Sequence, residues 1–166
     1  MTPSLRTATT DDIPALQNIY AHHVLHGTGT FETEPPNVGV MQDRFSEITR
    51  SGYPYLVAET DEGVFGFGYL GPFRTRPAYR HTVEDSIYLH PDKRGQGVGS
   101  KLLVALINEA KQKGFTQMIA LIGDSANRAS VSLHARCGFE STGTMRQDGF
   151  KFDRWLDVVI MQRSLQ

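Results

Sequence analysis

The segment Arg94-Gly95-Gln96-Gly97-Val98-Gly99-Ser100 constrains this chain more than any other. It joins a strand-like run to a helix-like run through residues that leave backbone N–H groups uncovered. The run before it, Thr82 to Leu89, is rich in β-branched and aromatic residues and stops at His90-Pro91-Asp92. The run after it carries Val98, Leu102, Leu103, Leu106, Ile107 and Ala110 at helical spacing. Lys111 and Lys113 fall in its last turn, and Gly114 supplies a left-handed stop. Alternate glycines let the main chain approach an anion without Cβ interference, and the first N–H groups of the helix point at that anion with the positive end of the dipole behind them. Arg94 to Gly99 alone reads either as a phosphate grip or as a Gly-rich turn with no ligand.

Composition is compatible with such a grip and excludes other partners. At 166 residues the chain fits one domain, 1–166, able to bury about two thirds of its unfolded surface. With 17 basic against 18 acidic residues it has no excess charge to offer nucleic acid or an anionic membrane. No apolar run approaches the ~20 residues of a membrane span, and residues 1–6 do not resemble a signal peptide. The lone Cys137 cannot form an internal disulfide, so a reducing cytoplasm is the expected compartment. His22 and His26 are four apart, but His23 stands where a zinc-protease motif needs glutamate, so no metal is expected.

Along the chain, element types alternate without repeats. Leu5 to Ala8 reads as a short strand, and Thr9-Thr10-Asp11-Asp12 offers caps to a helix carrying Ile13, Leu16, Ile19, Tyr20 and Val24. A loop over 28–37 precedes a second helix with Val40, Met41, Phe45 and Ile48. Tyr55 to Glu59 and Val64 to Tyr69 then form a hairpin around Asp61-Glu62-Gly63. After the glycine loop and its helix come an apolar strand around Met118 to Ile122 and a short helix from Asn127 to Arg136 closed by Gly138. Ser141 to Arg146 and Trp155 to Met161 pair last, around Gln147-Asp148-Gly149. The expected class is α/β of the α+β kind: a three-layer, mixed and mostly antiparallel central sheet with flanking helices.

Two familiar phosphate frames fail on this segment. A dinucleotide fingerprint needs Gly-x-Gly-x-x-Gly, whereas the spacing here is Gly-x-Gly-x-Gly; a P-loop needs Gly-Lys-Ser/Thr, whereas Gly99-Ser100-Lys101 has the reverse order. The frame Arg94-Gly95-Gln96-Gly97-Val98-Gly99 resembles the acyl-coenzyme A pyrophosphate loop of GNAT-type N-acetyltransferases. About 30 residues on, Asn127…Leu133-His134…Gly138-Phe139 resembles the Asn…Leu-Tyr-x-x-x-Gly-Phe stretch of the same superfamily, separated from the loop by the helix and strand that order requires. Further segments look like its phosphinothricin and methionine-sulfoximine acetyltransferase branch: Phe31-Glu32-Thr33-Glu34-Pro35, Gly71-Pro72-Phe73-Arg74, Ala78-Tyr79, Thr82-Val83-Glu84 and Gly149-Phe150-Lys151.

That resemblance implies the GNAT fold, acetyl-coenzyme A as cosubstrate and transfer of acetyl to the α-amine of a small amino-acid-like substrate. Acetylation of a protein N-terminus or polyamine, or acyl-coenzyme A sensing without catalysis, are its alternatives. An ammonium must lose a proton before it attacks a thioester. Glu84 and Asp85 are both candidate bases on opposite faces of one strand; alternation does not choose between them, and the family match points to Glu84, acting directly or through water. His134 stands where many members carry a tyrosine that protonates the departing thiolate, and it can serve as that acid or as a helix histidine bonded to a carbonyl. The backbone of Ile87, Tyr88 and Leu89 is implied to pair with the pantetheine arm, Arg94 to Ser100 to hold the phosphates, and Asn127 to cap its helix or bond the cofactor. Arg74 and Arg76 beside Tyr79 suit a carboxylate or phosphinate, since a guanidinium offers a flat two-pronged donor, and Phe31 would wall the pocket. The branch forms homodimers, which makes Lys151, Phe152 and Trp155 of a second copy visitors to the site. Cys137 reads as a small core hydrophobe, so a covalent acetyl-cysteine route is not expected.

Overall fold

Local signals start most of the elements. Asn37 ends the loop and begins α2 (Val38–Arg50), its side-chain oxygen accepting from Val40 N–H at 2.9 Å. Thr9 and Asp12 cap each other reciprocally ahead of α1 (Ile13–His26). Arg6 of β1 (Ser4–Thr7) grips Asp12 with two bonds of 2.8 and 2.9 Å and reaches Glu59 at 2.7 Å. The remaining order is β2 (Tyr55–Thr60), β3 (Gly63–Pro72), β4 (Thr82–Leu89), α3 (Val98–Gln112), β5 (Gln117–Gly123), α4 (Arg128–Arg136), β6 (Glu140–Lys151) and β7 (Arg154–Ser164). This computed structural model describes residues 3–166.

The strands form a single seven-stranded sheet in the order β1-β2-β3-β4-β5-β7-β6. Its neighbours pair antiparallel except β4 and β5, which run parallel because α3 carries the chain across between them. Strand alternation divides the interior into two cores. On one face α3 and α4 bury Leu102, Leu103, Leu106, Val83 and Met118; on the other, α1 and α2 bury Leu16, Ile19, Phe45, Val57 and Phe67. The register jumps from Ala58↔Gly66 to Glu59↔Val64, which leaves Phe65 as an extra residue. Phe65 therefore joins the α3 core although Phe67, two residues on, joins the opposite one. Truncating Leu106, fully buried, to alanine would cost about 2–5 kcal/mol.

The three layers agree with the expectation from sequence; the last hairpin does not. Gln147-Asp148-Gly149 is a bulge inside β6, where Met145↔Val158 is followed by Gly149↔Leu156. Gln147 adopts φ +52° and donates its N–H to the Asp157 carboxylate at 2.9 Å. The chain reverses instead at Phe152-Asp153, with φ of +53° and +55°. Two successive left-handed residues match the twist of a two-residue hairpin, a geometry that Asn-Gly usually signals and Phe-Asp does not.

Candidate active site

β4 and β5 pair only from Thr82↔Gln117 to Glu84↔Ile119 and then part. Beyond that point β5 keeps β7 and β4 keeps β3 as far as Leu89. His90 N–H donates to Phe65 O at 2.7 Å and Phe73 N–H to Thr82 O at 3.3 Å, which fixes the phase of the β3–β4 ladder. The backbone groups of Glu84, Ser86 and Tyr88 turn toward β3, and those of Ile87 and Leu89 turn to the gap. Ile87 thus presents an open N–H and C=O, while the Leu89 carbonyl is met by His23 Nε2 at 2.8 Å. Tyr88 differs from its two neighbours. Its backbone belongs to the sheet and its ring packs on Tyr20 and Phe67, with centroids 5.0 and 5.4 Å away. The gap opens into a cleft of about 1060 Å³ between β4, the glycine loop, the end of β5 and α4.

The three loop glycines serve different ends. Gly95 and Gly97 sit at φ +74° and +76°, and nothing lies within 4 Å of a Cβ added to either, so backbone conformation rather than space demands glycine there. Gly99 is already helical, and a Cβ on it would come within 3.3 Å of Leu133, so this glycine sets how closely α4 approaches α3. Val98, Gly99 and Ser100 open α3 without intrahelical acceptors for their N–H groups, and they line the cleft beside Arg94 and Gly95. Gln96 is exposed and outside the cleft lining. Across the cleft, Asn127 accepts from Ser130 N–H at 3.3 Å and so caps α4.

Glu84 and Asp85 both reach the cleft, from opposite faces of β4, and their surroundings differ. Burial and then the neighbouring Asp85 raise the proton affinity of Glu84, against the pull of Arg74, and no hydrogen bond contributes. Asp85 is buried and meets His134 Nε2 at 2.9 Å, while Nδ1 of that ring lies 2.8 Å from Ser130 O. Burial lowers the proton affinity of His134, but the hydrogen bond and charge of Asp85, helped by the Ser130 carbonyl, outweigh it and hold the ring above its ordinary value. Both ring nitrogens are thus engaged, and a proton leaving His134 would break one of these contacts.

A splayed parallel pair, a glycine loop at a helix start and an Asn-capped second helix stand in the order that the sequence motifs anticipate. The chain matches the family described as Acetyltransferase (GNAT) family over residues 16–139. It belongs to the GNAT acetyltransferase family. A phosphinothricin N-acetyltransferase of Alcaligenes faecalis is 48% identical over 162 residues, which cover 98% of this chain and 82% of that one. An L-methionine sulfoximine/L-methionine sulfone acetyltransferase of Pseudomonas aeruginosa is 42% identical over 166 residues, 99% of this chain and 96% of that one. The solved structure of a GNAT superfamily phosphinothricin acetyltransferase from Sinorhizobium meliloti in complex with AcCoA superposes with a TM-score of 0.95 at 47% identity. That match covers 99% of this chain and 89% of the other.

In this GNAT acetyltransferase the four residues expected to hold an acceptor are not part of the cleft lining. Arg74 lays its guanidinium over the Phe73 ring at 4.3 Å, bonds the Phe73 carbonyl at 2.8 Å, and is near enough to act on Glu84. Tyr79 packs edge-on against the same ring at 5.7 Å, and Arg76 precedes the short turn Pro77–Tyr79. Phe31 is seated against two glycines: a Cβ on Gly149 would lie 2.3 Å from its ring and one on Gly123 2.8 Å. The segment bearing it is fixed by Tyr20, which bonds Thr30 at 2.8 Å and the Glu32 carboxylate, and by Arg44, which grips Glu32 at 2.7 and 2.8 Å. Lys151, expected as a visitor from a second copy, is buried in its own chain. Its ammonium donates to the carbonyls of Gly27 and Thr30 at 2.8 Å each. Phe152 and Trp155 are exposed.

Sequence reasoning missed His23 as a site-forming residue, and it assigned Lys151 to the site of a second copy rather than to that of its own chain. His23 lies four residues after Ile19 and three after Tyr20, on the buried stripe of α1, and a polar residue on that stripe was its signal. For Lys151 the sequence carries none. Among the described residues, no group of three or more His, Cys, Asp or Glu side chains is arranged to hold a metal.

Proposed function

We propose that this protein transfers an acetyl group from acetyl-coenzyme A to the α-amine of a small amino-acid-like acceptor of the phosphinothricin, methionine sulfoximine or methionine sulfone type. The observation that carries the reading is the gap between β4 and β5. It leads from the uncovered N–H groups at the start of α3, along the open edge of Ile87, to the Glu84 carboxylate. The dimensions and chemistry fit the cosubstrate: a cleft of about 1060 Å³, positive at one end and edged by the unpaired backbone of Ile87. The relatives named above act on such acceptors, and the Sinorhizobium structure holds AcCoA.

Each part of the chain then has a task. Val98, Gly99 and Ser100 N–H groups, with Arg94 and Gly95, take the pyrophosphate; Gln96 stays on the solvent side of the loop. Ile87 pairs with a pantetheine amide through its free backbone groups, as an added strand would. Leu89 contributes its N–H, and Asn127 its remaining amide hydrogens. Bound there, acetyl-coenzyme A supplies the thioester carbonyl that the amine attacks and the thiolate that leaves. Glu84 takes the ammonium proton, directly or through one water; the freed nitrogen then bonds to the acetyl carbon, the carbon–sulfur bond breaks, and the second proton that nitrogen sheds on becoming an amide neutralises the departing thiolate. Its raised proton affinity suits this, because a base poised closer to neutral pH holds the proton it removes. Arg74 and Arg76 with Tyr79 hold the acceptor's carboxylate or oxyanion, and Phe31 walls its apolar part. A homodimer is part of the reading. Phe150, Phe152 and Trp155 expose 55%, 49% and 61% of their surface on the β6–β7 hairpin, and a second copy would cover them.

The test is thiol release from acetyl-coenzyme A with phosphinothricin, methionine sulfoximine, methionine sulfone, spermidine and an N-terminal peptide offered in parallel. Turnover confined to the first three is expected. Turnover with none, despite tight binding of acetyl-coenzyme A, would refute the reading, and turnover with spermidine or the peptide alone would replace its acceptor class.

A further inference from the structure

Asp85 sits immediately past the last residue of β4 that pairs with β5, and its side chain, only 2% exposed, meets His134 of α4 there. A backbone carbonyl only accepts, so the Nδ1 that faces Ser130 O carries a proton; the contact between Nε2 and the carboxylate needs a second. With Asp85 ionised, the pair holds two protons and is neutral as a unit, the condition under which two buried ionisable groups persist together. The Phe139 ring closes over His134 edge-on at 5.0 Å. The second carboxylate oxygen of Asp85, Oδ1, is buried with no hydrogen-bond partner among the described residues. Glu84, one residue back, points the other way, and Asp85 is the charge that most opposes its ionisation.

We propose that Asp85 and His134 form an imidazolium–carboxylate brace that ties α4 to β4 where the strand ladder stops, and that through this brace Asp85 sets the pH at which Glu84 becomes a base. Both are positioning residues. This rests on the reading of Glu84 as the base. His134 is then a fixed cation rather than the donor of a proton to the thiolate. The raised proton affinity of the ring agrees with an ionised pair rather than a neutral one. Glu84 is the next residue on β4, and Cys137, just past α4, is near enough to feel Asp85; Cys137 also feels Arg136 of α4 and Arg163 of β7, which donates to its carbonyl. The thiol of Cys137 is pushed up by burial and carries no charge at neutral pH.

Two variants separate the brace from a merely structural contact. Asp85→Asn removes the negative neighbour of Glu84, so the acid limb of the kcat/KM profile should move to lower pH by roughly one unit; in His134→Gln the buried Asp85 loses its counter-ion and takes up a proton, so the limb should move the same way. Limbs that stay in place or move to higher pH, in variants whose folding is verified by circular dichroism, would overturn the coupling. Histidine-nitrogen NMR of the unmodified enzyme near neutral pH gives a readout independent of turnover. The signal that His134→Gln removes should show both ring nitrogens protonated, and a ring with one proton would overturn the ion pair. Absence of turnover with every amine would refute acetyl transfer and leave that spectrum unchanged, so the two failures are distinguishable.

Discussion

The two ends of the site are built differently. The part that lines the cleft comes mostly from one stretch of chain, Glu84 to Arg136, joined by His23 of α1 and by Gly27 to Gly29 just after it, and much of it is backbone: an unpaired strand edge, a left-handed glycine turn and the first N–H groups of α3. The part assigned to the acceptor is assembled from side chains on separate segments, with Phe31 before α2, Arg74 to Tyr79 between β3 and β4, and Gly149 to Lys151 at the end of β6. Backbone devices impose a strict residue pattern over a short span. Side-chain walls can be met by many residue types, provided that distant segments arrive together. Binding of a constant cosubstrate and choice of a variable acceptor are thereby separated in the chain, and changes on one side need not disturb the other.

Substitutions on the two sides should split accordingly, the largest effect falling at their junction. Glu84→Gln is expected to lower kcat/KM by about 10²–10⁴. Because burial raises the proton affinity of this carboxyl, the unmodified enzyme should gain activity as pH climbs through that raised value, and the glutamine variant should lose this limb; pH–rate profiles check both. Gly97→Ala forces a Cβ onto φ +76°, a strain of about 1–2 kcal/mol, and should raise KM for acetyl-coenzyme A roughly tenfold while KM for the acceptor holds in initial-rate measurements. Lys151→Met strands two carbonyls, at about 1–3 kcal/mol each. It should lower the melting temperature by roughly 4–24 °C in calorimetry and raise KM for the acceptor alone. Gly149→Ala should be mildest. A methyl group 2.3 Å from the Phe31 ring must displace it, and since that ring is partly exposed it can yield, raising KM for the acceptor about threefold. A change in KM for acetyl-coenzyme A with either of the last two would break the separation.

The same division explains what the sequence made legible. Strand, glycine loop and α3 could be read because their signals are local: β-branched residues, left-handed glycines and a helical apolar stripe within about thirty residues. The splay of β4 from β5 was implied only by resemblance, since no letter in either strand says where pairing stops. Glu84 and Asp85 were indistinguishable by alternation, and what separates them is His134, 49 residues on. The Asp148-Gly149 pair carried a turn signal that β6 absorbs as a bulge, because Gln147 finds an acceptor in Asp157 of the opposite strand. Phe31 was placed at a pocket wall by resemblance, whereas its seat on Gly149 and Gly123 depends on three segments that only the fold brings together.

The buried ammonium of Lys151 joins positions 124 and 121 residues away in sequence. On the ribosome, where the chain emerges from its N-terminus, the residues that line the cleft, ending at Arg136, are all made before this lysine appears. The segment carrying Phe31, already tied by Tyr20 and Arg44, therefore waits for nearly the whole polypeptide before it acquires its last anchor. A chain released after β5 and α4 but before the end of β6 would own most of a cosubstrate cleft and an acceptor wall that lacks its Lys151 and Gly149 supports.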